Sequence, residues 1–373
     1  MKRSLLLNSA VLASVVFGAT GALAGTLYVD LNSANPKSPF ADWATAATNI
    51  QDAVDASGPG ALVLVSNGVY AVGTRAVHGM SNRVAVTAPI VLRSVNGPDV
   101  TRIVGYQVPG TTNGAQAVRC VYLTNGATLA GFTLTNGATQ SSGNTNMQES
   151  GGGVWCESVS AVVSNCVLTG NSDFTNGGGA YSGTLRSCTL AGNQAFAGGG
   201  AYSAALINCR LTGNSANFGG GAGQCTLTGC LVISNSVGLK WFAPVYSQPD
   251  SSLGGGAYSS TLNNCIVGSN FADSGSPGPY IILGGGGGAF GCTLHNCTLT
   301  NNVSPLIGGG AYSSTLVNCT VTPNICQYYG AGVGPTIARS ATASAISIRY
   351  RDSPTIQRPI MVPRTPVFLT TVA

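Results

Sequence analysis

Between residues 151 and 324, apolar and polar positions recur at a fixed spacing around cysteine. Each cysteine has an aliphatic residue three positions before it and another two positions after it, and asparagine always stands five positions after it. The seven repeated cysteines are Cys166, Cys188, Cys209, Cys230, Cys265, Cys297 and Cys319, with spacings of 22, 21, 21, 35, 32 and 22. Self-similarity of this kind predicts a solenoid.

The residue types indicate strands rather than helices. A glycine triplet precedes each copy and would weaken a helix by roughly 1 kcal/mol per glycine, whereas threonine and β-branched residues favour strands. Leu185 and Cys188 are three positions apart, so a straight strand would place them on opposite faces. A bend at the residue before each cysteine, usually Asn or Gly, lets both point inward. We therefore predict a strand, a bend, a strand carrying Cys-x-Leu/Val inward, a turn at the asparagine, and a glycine-rich strand.

Stacking such coils predicts an all-β fold, a single right-handed parallel β-helix with ~21–22-residue coils and ladders of identical residues. Residues 25–150 are expected to form an N-terminal cap and the first coils, and residues 151–334 the repeat β-helix. The cap contains the short strand 27–29 and a predicted amphipathic helix from Ala46 to Ala56, with Ile50, Ala53 and Val54 on one face. A helix across the open end would cover exposed core and strand edges.

Residues 1–24 have the pattern of a secretory signal peptide. Lys2 and Arg3 precede a short apolar stretch, and Ala22-Leu23-Ala24 forms a cleavage motif before Gly25. The apolar stretch is too short for a membrane anchor, and no transmembrane segment is expected in the mature chain. The sequence therefore predicts an exported protein, secreted or associated with the cell surface or outer membrane.

Charge argues against nucleic acid as a partner. Only 7% of residues are charged, and 7 of the 16 basic residues lie before residue 25 or after residue 334. The body is nearly neutral, so no basic surface for nucleic acid is expected. Residues 335–373 form an atypical tail without glycine, although the chain contains 53 glycines. Two explanations remain open for this tail, a separate terminal segment or a slipped reading frame.

Several stretches resemble known β-helix proteins. The segments NIQDAVDAS, LVLVSNGVY, VLRSVNG and TLAGFTLTNG are similar to the start of pectin-lyase-like right-handed parallel β-helix proteins. The GGGAY and L/V-x-x-N tetrapeptides resemble the repeats of chlamydial polymorphic outer-membrane proteins, with Leu or Val where those proteins usually carry Phe. The first resemblance implies the fold and the second a surface role. Neither the Asn-Thr-Asp strand and paired aspartates of polygalacturonases nor the acidic calcium site and arginine of pectate lyases is found.

Twelve cysteines in an exported chain raise the question of disulfides. Neighbouring ladder cysteines have parallel Cβ directions, which gives poor disulfide geometry, and cysteine also packs well as a small apolar residue. Packed thiols are therefore preferred, with Cys225–Cys230 and Cys292–Cys297 left open as bridges. With two histidines and no Cys-x-x-Cys, no metal site is predicted, and no cofactor is expected. The residues that come after the glycine triplets match neither a phosphate-binding motif nor a calcium-binding motif.

A row of aromatic residues follows the glycine triplets. Its members are Trp155, Tyr181, Tyr202, Tyr258, Phe290 and Tyr312, interrupted at Gly223. If the preceding Ala or Val points inward, these rings point outward. They would then either bind sugar rings or cover one another and the adjacent turns.

Two insertions, 236–253 and 271–285, enter at the same position of successive coils and should protrude side by side next to this row. Trp241 is a candidate ligand-binding residue, and Asp250 and Asp273 are weak candidates for acid/base catalysis. Acids are otherwise scarce in the repeats. The sequence thus favours an adhesion or binding protein whose partner is a polysaccharide or surface glycan. The alternative is a polysaccharide lyase, a glycoside hydrolase or a carbohydrate-binding module.

Overall fold

The computed structural model describes residues 25–238, 252–273, 284–326 and 333, and the strands at 337–339 and 342–343. Within these residues the chain winds as a right-handed parallel β-helix, which confirms the predicted fold class. Coil follows coil in register, so that Leu185 pairs with Leu206 and Leu190 with Leu211. The signal-peptide prediction lies outside the described residues.

Two long sheets carry the Leu and Val positions of the repeat. The first has twelve strands: Thr26–Val29, Leu62–Val65, Val91–Ser94, Thr128–Ala130, Val162–Ser164, Thr184–Arg186, Ala205–Ile207, Thr226–Thr228, Thr261–Asn263, Thr293–His295, Thr315–Val317 and Ile337–Arg339. The second has eleven: Gly68–Tyr70, Thr101–Val104, Thr133–Thr135, Val167–Thr169, Thr189–Ala191, Arg210–Thr212, Leu231–Ile233, Ile266–Gly268, Thr298–Thr300, Thr320–Val321 and Thr342–Ala343. In both sheets the last strand lies beyond residue 334.

Shorter strands complete each coil. The third sheet contains Arg75–Val77, Met80–Val86, Arg119–Leu123, Val154–Cys156, Ala180–Tyr181, Ala201–Tyr202, Ala222–Gly223, Ala257–Tyr258, Ala289–Phe290 and Ala311–Tyr312. The fourth contains Ser215–Ala216, Ser236–Val237, Phe271–Ala272, Val303–Ser304 and Ile325–Cys326, and a separate pair joins Ser252–Leu253 to Gly284–Gly285. The named pairings are parallel except for the hairpin of Arg75–Val77 with Met80–Val86.

Each repeat coil turns at left-handed corners. In the coil around Cys188 the residues with positive φ are Ser187 (51°), Gly192 (61°), Gly198 (63°) and Ser203 (54°). The bend expected before cysteine is therefore one corner of several. Cys188 lies at this corner rather than inside a strand, since the strand begins at Thr189, but its side chain still points inward and is buried. The prediction that placed Cys-x-Leu on one strand is corrected in this respect.

The interior is lined by ladders. The aliphatic positions and all twelve cysteines are buried, and the eleven cysteines from Cys120 to Cys319 are free thiols. The two cysteine pairs left open as bridges are likewise unbridged. At the corner between the second and fourth sheets, buried asparagines bond from coil to coil: Nδ2 of Asn193 donates to Oδ1 of Asn214 at 3.0 Å. The buried amides satisfy backbone groups that would otherwise lack partners.

The N-terminal helix is shorter than predicted. It begins at Ile50 and ends at Ala56, because Asn49 is the N-cap and its side chain accepts the backbone N–H of Asp52. Residues before Asn49 are used differently, since Trp43–Thr45 forms a 3-10 turn and Ala47 pairs with Val29. Ile50, Ala53 and Val54 are buried as expected and lie within the core at this end of the β-helix.

Candidate functional site

The aromatic row runs along the third sheet. In each repeat coil an inward Ala or Val precedes the ring, and the ring residue pairs directly with its counterpart in the next coil, as Trp155 does with Tyr181 and Tyr181 with Tyr202. Alternation along a strand sends the side chain after the buried alanine outward. Trp155 is nevertheless buried, at 7% exposure, while the other five rings are partly buried.

The rings stack on one another. Trp155 and Tyr181 are 6.1 Å apart with planes 6° apart, and Tyr181 and Tyr202 are 6.2 Å apart at 13°. Beyond the interruption, Tyr258 and Phe290 are 6.0 Å apart and Phe290 and Tyr312 5.5 Å apart. Because stacking covers ring faces, the row presents mostly ring edges outward. This arrangement supports mutual packing as one role of the row.

Gly223 divides the row into two stacks. A Cβ atom at this position would lie 2.9 Å from Cδ2 of Tyr202, so the tyrosine ring leans over the glycine. Phe218, at the neighbouring corner, lies 5.4 Å from the Tyr258 ring and 5.4 Å from that of Phe196. At this interruption, Phe218 and Phe196 form a second set of aromatic side chains, which contacts the aromatic row at Tyr258.

The N-terminal end of the row is closed. Tyr122 occupies the ring position one coil before Trp155 and stacks on it at 5.4 Å. His78, in the turn of the Arg75–Val77 hairpin, contacts both rings at 6.0 and 6.1 Å. Sequence reasoning missed Tyr122, although Val121-Tyr122 has the same inward-outward pattern as Val154-Trp155.

A buried arginine anchors this closed end. Arg119 is 1% exposed, and its guanidinium donates to the carbonyl oxygens of Gly151 (2.9 Å), Met147 (2.8 Å) and Ser150 (2.7 Å) and to Oδ1 of Asn82 (3.0 Å). Burial lowers the pKa of Arg119 to about 9, with nearby Asp173 acting in the opposite direction. The signal for this residue is one arginine within the apolar run 117–123.

The carboxylates beside the row hold structural hydrogen bonds. Glu157 accepts from the Tyr122 hydroxyl, from Thr124 Oγ1 at 2.8 Å and from the Asn125 N–H at 2.9 Å. Burial acts to raise the Glu157 pKa, but these donors outweigh it and hold the pKa below its usual value. An ionised carboxylate with three donors serves to fix the loop after Thr124.

Asp173 and Glu149 are buried on the other side of Arg119. Oδ2 of Asp173 accepts the Gly151 N–H at 3.0 Å, and Oε2 of Glu149 accepts from Thr175 Oγ1 at 3.0 Å. Burial raises the pKa of Asp173 well above its ordinary value, against the pull of the Gly151 bond and Arg119. Complete burial places the Asp173 carboxyl out of reach of a large substrate.

The two insertions emerge side by side, as predicted. Their first strands, Ser236–Val237 and Phe271–Ala272, pair with each other, and so do Ser252–Leu253 and Gly284–Gly285, where the chain returns. Asp273 lies at the base, where its backbone N–H bonds Val237 O at 2.8 Å and its side chain lies beside Gly238, 3.2 Å from where a Cβ of that residue would be. Trp241 and Asp250 lie outside the described residues.

A third insertion, at residues 139–149, enters at the same coil position and was missed. It begins after Gly137, whose N–H bonds the ladder amide of Asn171 at 2.9 Å, and ends before the Gly151 triplet. Its Asn146 carbonyl accepts the indole N–H of Trp155 at 2.6 Å. Gly137 stands here at the position that asparagine occupies in the repeats, so the asparagine pattern did not reveal this coil.

Within the described residues, no three His, Cys, Asp or Glu side chains are grouped so as to hold a metal ion. In the same residues no helix is both long and apolar enough to span a membrane.

No family model and no curated protein matches the chain. Among solved structures, the pectate lyase Pel9A is similar over 87% of this chain and 79% of its own, at 14% identity and a TM-score of 0.46. A rhamnogalacturonan lyase is similar over 89% of this chain and 90% of its own, at 11% identity and a TM-score of 0.44. A polygalacturonase from Erwinia carotovora ssp. carotovora covers 90% of this chain and 96% of its own, at 11% identity and 0.40.

Proposed function

We propose that this chain is an exported, adhesion-type binding protein whose ligand is a polysaccharide or surface glycan. One observation carries the proposal: the bases of the two insertions pair on successive coils, and Leu253, at the end of the first insertion, pairs with Phe218, whose ring contacts Tyr258 of the aromatic row. Long loops on a rigid scaffold are the usual place for recognition. The ligand would lie across the third sheet at these insertions, with Trp241 as the candidate binding residue.

The scaffold suits binding along its length. Coils in register repeat the same outward groups about every 4.8 Å, and a repeating polymer can meet such an array with several units at once. The ring edges and the hydroxyls of Tyr258 and Tyr312 offer weak, repeated contacts. The resemblance of the GGGAY and L/V-x-x-N repeats to chlamydial polymorphic outer-membrane proteins agrees with a surface role.

A polysaccharide lyase or glycoside hydrolase is the second candidate function. The position of Asp273 favours it, because this residue stands at the base of one insertion and beside Gly238, at the base of the other. Asp250, in the first insertion, would be its partner in acid/base chemistry. Binding ranks first because Glu157, Asp173 and Glu149, the acids near the ring row, hold structural donors.

One assay separates the two candidates. The purified full chain is incubated with acidic and neutral polysaccharides, with and without calcium, and both retention and soluble product are measured. A binding protein retains a polysaccharide without releasing unsaturated or reducing ends, and Trp241→Ala abolishes the retention. Tyr106→Ala is the matched control, because Tyr106 is an exposed ring at 40% exposure outside the third sheet. If every retained polysaccharide is still retained by Trp241→Ala, the proposed site is wrong.

The enzymatic alternative makes a different prediction in the same assay. Product release that disappears in Asp250→Ala or Asp273→Ala would establish catalysis and overturn the binding assignment. If neither retention nor product is found with any polysaccharide, the aromatic row serves only as packing and the proposal of a glycan ligand is wrong.

A further inference from the structure

A cleft of about 490 Å³ lies far from the insertions, on the outer side of the first coils. Asp30, Trp43, Ser66, Asn67, Val95 and Asn96 line it. These residues come from successive coils, because Asp30, Ser66 and Val95 each follow a strand of the first sheet. The cleft is therefore built by the rigid end of the β-helix and its capping segment.

Trp43 lines this cleft with a partly open ring. The residue is 43% exposed, although tryptophan usually buries most of its area. Its position is fixed by contact with the Tyr28 ring, with ring centres 4.7 Å apart and planes at 64°, and by the turn Trp43–Thr45. Asp42 caps that turn, with Oδ1 accepting the Thr45 N–H at 2.8 Å. An aromatic surface held in place and left partly open is suited to an apolar ligand face.

Polar groups surround the indole in complementary pairs. Asn96 Nδ2 donates to Asn67 Oδ1 at 2.8 Å, which leaves Asn67 Nδ2 as a donor and Asn96 Oδ1 as an acceptor in the described part of the chain. Oδ1 of Asp30 accepts from Ser66 Oγ at 3.1 Å and from the Asn32 N–H at 3.0 Å, and these two bonds orient the carboxylate. One donor and two acceptors beside an aromatic face match the hydroxyls and C–H face of a sugar ring.

The cleft is part of a longer groove that extends along the axis of the β-helix. A second depression of about 330 Å³ shares Val95 and Asn96 with the cleft and continues over Gly97 and Gly131 to Asn165. Asn67, Asn96 and Asn165 thus lie on coils about 4.8 Å apart or multiples of it. Arg93 adds a guanidinium donor in the second depression. An oligosaccharide, rather than a single sugar, fits this continuous arrangement.

We propose that this groove is a second glycan-binding site, in which the sugar unit against Trp43 carries no negative charge. Asp30, the charged group beside Trp43, would repel a carboxylate or sulfate on a sugar stacked against the indole. The site is independent of the ligand proposed for the insertions, and the two are tested by different variants.

The test is a titration of the full chain with neutral trisaccharides of glucose, xylose and mannose, followed by calorimetry and by NMR of the three indole N–H signals. At least one neutral trisaccharide should bind saturably and shift the Trp43 signal, which Trp43→Phe identifies. Trp43→Ala and Asn96→Ala should each weaken binding about tenfold or more, or 1.4 kcal/mol. Tyr106→Ala and Trp241→Ala should leave the affinity within twofold.

Two results would overturn the proposal. The first is the lack of a saturable Trp43 shift with every neutral trisaccharide, and the second is binding of trigalacturonate alone. Asn96 is exposed and lies outside the core, so Asn96→Ala decides the question even if loss of the Trp43–Tyr28 contact destabilises Trp43→Ala. Loss of binding in Trp241→Ala but not in Trp43→Ala would assign the ligand to the insertions instead.

Discussion

Asn193 and Asn214 lie one above the other inside the β-helix, and Oδ1 of Asn214 accepts two bonds from Asn193, from its backbone N–H and its side-chain Nδ2, each at 3.0 Å. Nδ2 of Asn214 donates in turn to Leu190 O at 2.9 Å and to Asn235 Oδ1 at 2.9 Å. One buried amide therefore satisfies groups in three coils. This linkage explains why asparagine recurs at this position.

Asn214→Ala should lower the free energy of unfolding by several kcal/mol, because each buried group left unpaired costs about 1–3 kcal/mol. Urea denaturation followed by circular dichroism measures the effect. Asn208→Gly is the control, since Asn208 is exposed at a left-handed corner and glycine occupies the same position at Gly229. Equal effects of the two substitutions would contradict a structural role for the buried ladder.

Glycine is required within the triplets by space. A Cβ at Gly200 would lie 2.5 Å from Gly221 O and 3.1 Å from Asn214 Nδ2, whereas a Cβ at Gly192 would have no atom within 4 Å. Gly200→Ala should therefore destabilise by about 3 kcal/mol or more through overpacking. Gly192→Ala should cost about 1–2 kcal/mol, because only its positive φ opposes alanine. Similar thermal midpoints for the two variants would argue against close coil stacking.

Alkaline pH should destabilise the fold through its thiols. Burial raises the pKa of Cys120, Cys156, Cys225 and Cys292 to about 12, from an ordinary value of 9.0. Below pH 9 these thiols are protonated in both states, so they add no pH dependence. Between about pH 9 and 12 the unfolded chain ionises first, and the free energy of unfolding falls by about 1.4 kcal/mol per pH unit for each thiol.

Urea denaturation at pH 8, 9 and 10 checks this slope. Cys225→Ser is the matched variant, because Ser260 occupies the same corner one coil later and its Oγ donates to Tyr258 O at 2.8 Å. At pH 8 the variant should be as stable as the unsubstituted chain. Its free energy of unfolding should then fall less steeply with pH, by the contribution of one thiol. A stability that stays constant from pH 8 to pH 10 would show that the thiols are not buried in protonated form.

The ring row should contribute packing and ligand contact at different places. Tyr181→Ala removes the stacking on Trp155 and Tyr202 and should cost about 1–3 kcal/mol, with polysaccharide retention unchanged. Tyr258→Ala, beside the insertions, should reduce both stability and retention. Thermal unfolding and a retention assay measure the two effects. A larger loss of retention in Tyr181→Ala would move the ligand towards the N-terminal end of the row.

The fold could be predicted from the sequence because its ladders repeat in the chain itself. The aliphatic, cysteine and asparagine positions represented by Leu185, Cys188 and Asn193 recur in every repeat. A parallel solenoid is the arrangement that stacks equivalent residues. The candidate site was harder to predict from the sequence. Arg119 and the 139–149 insertion lie where the ladder asparagine is replaced by Gly137, so periodicity was lost there. Trp43 and Asn67 line the same cleft because a 3-10 turn packs beside the first coils, and this turn is not part of the repeat pattern.

Hydrogen–deuterium exchange tests the central claim most directly, with the full chain measured alone and with the polysaccharide it retains. The account predicts protection concentrated in peptides covering 236–253 and 271–285 and in the strands Ala257–Tyr258 and Ala289–Phe290. Trp241→Ala should remove this protection, and Tyr106→Ala should preserve it. Protection confined to other parts of the β-helix, with these peptides unchanged by a retained polysaccharide, would contradict the proposed binding face.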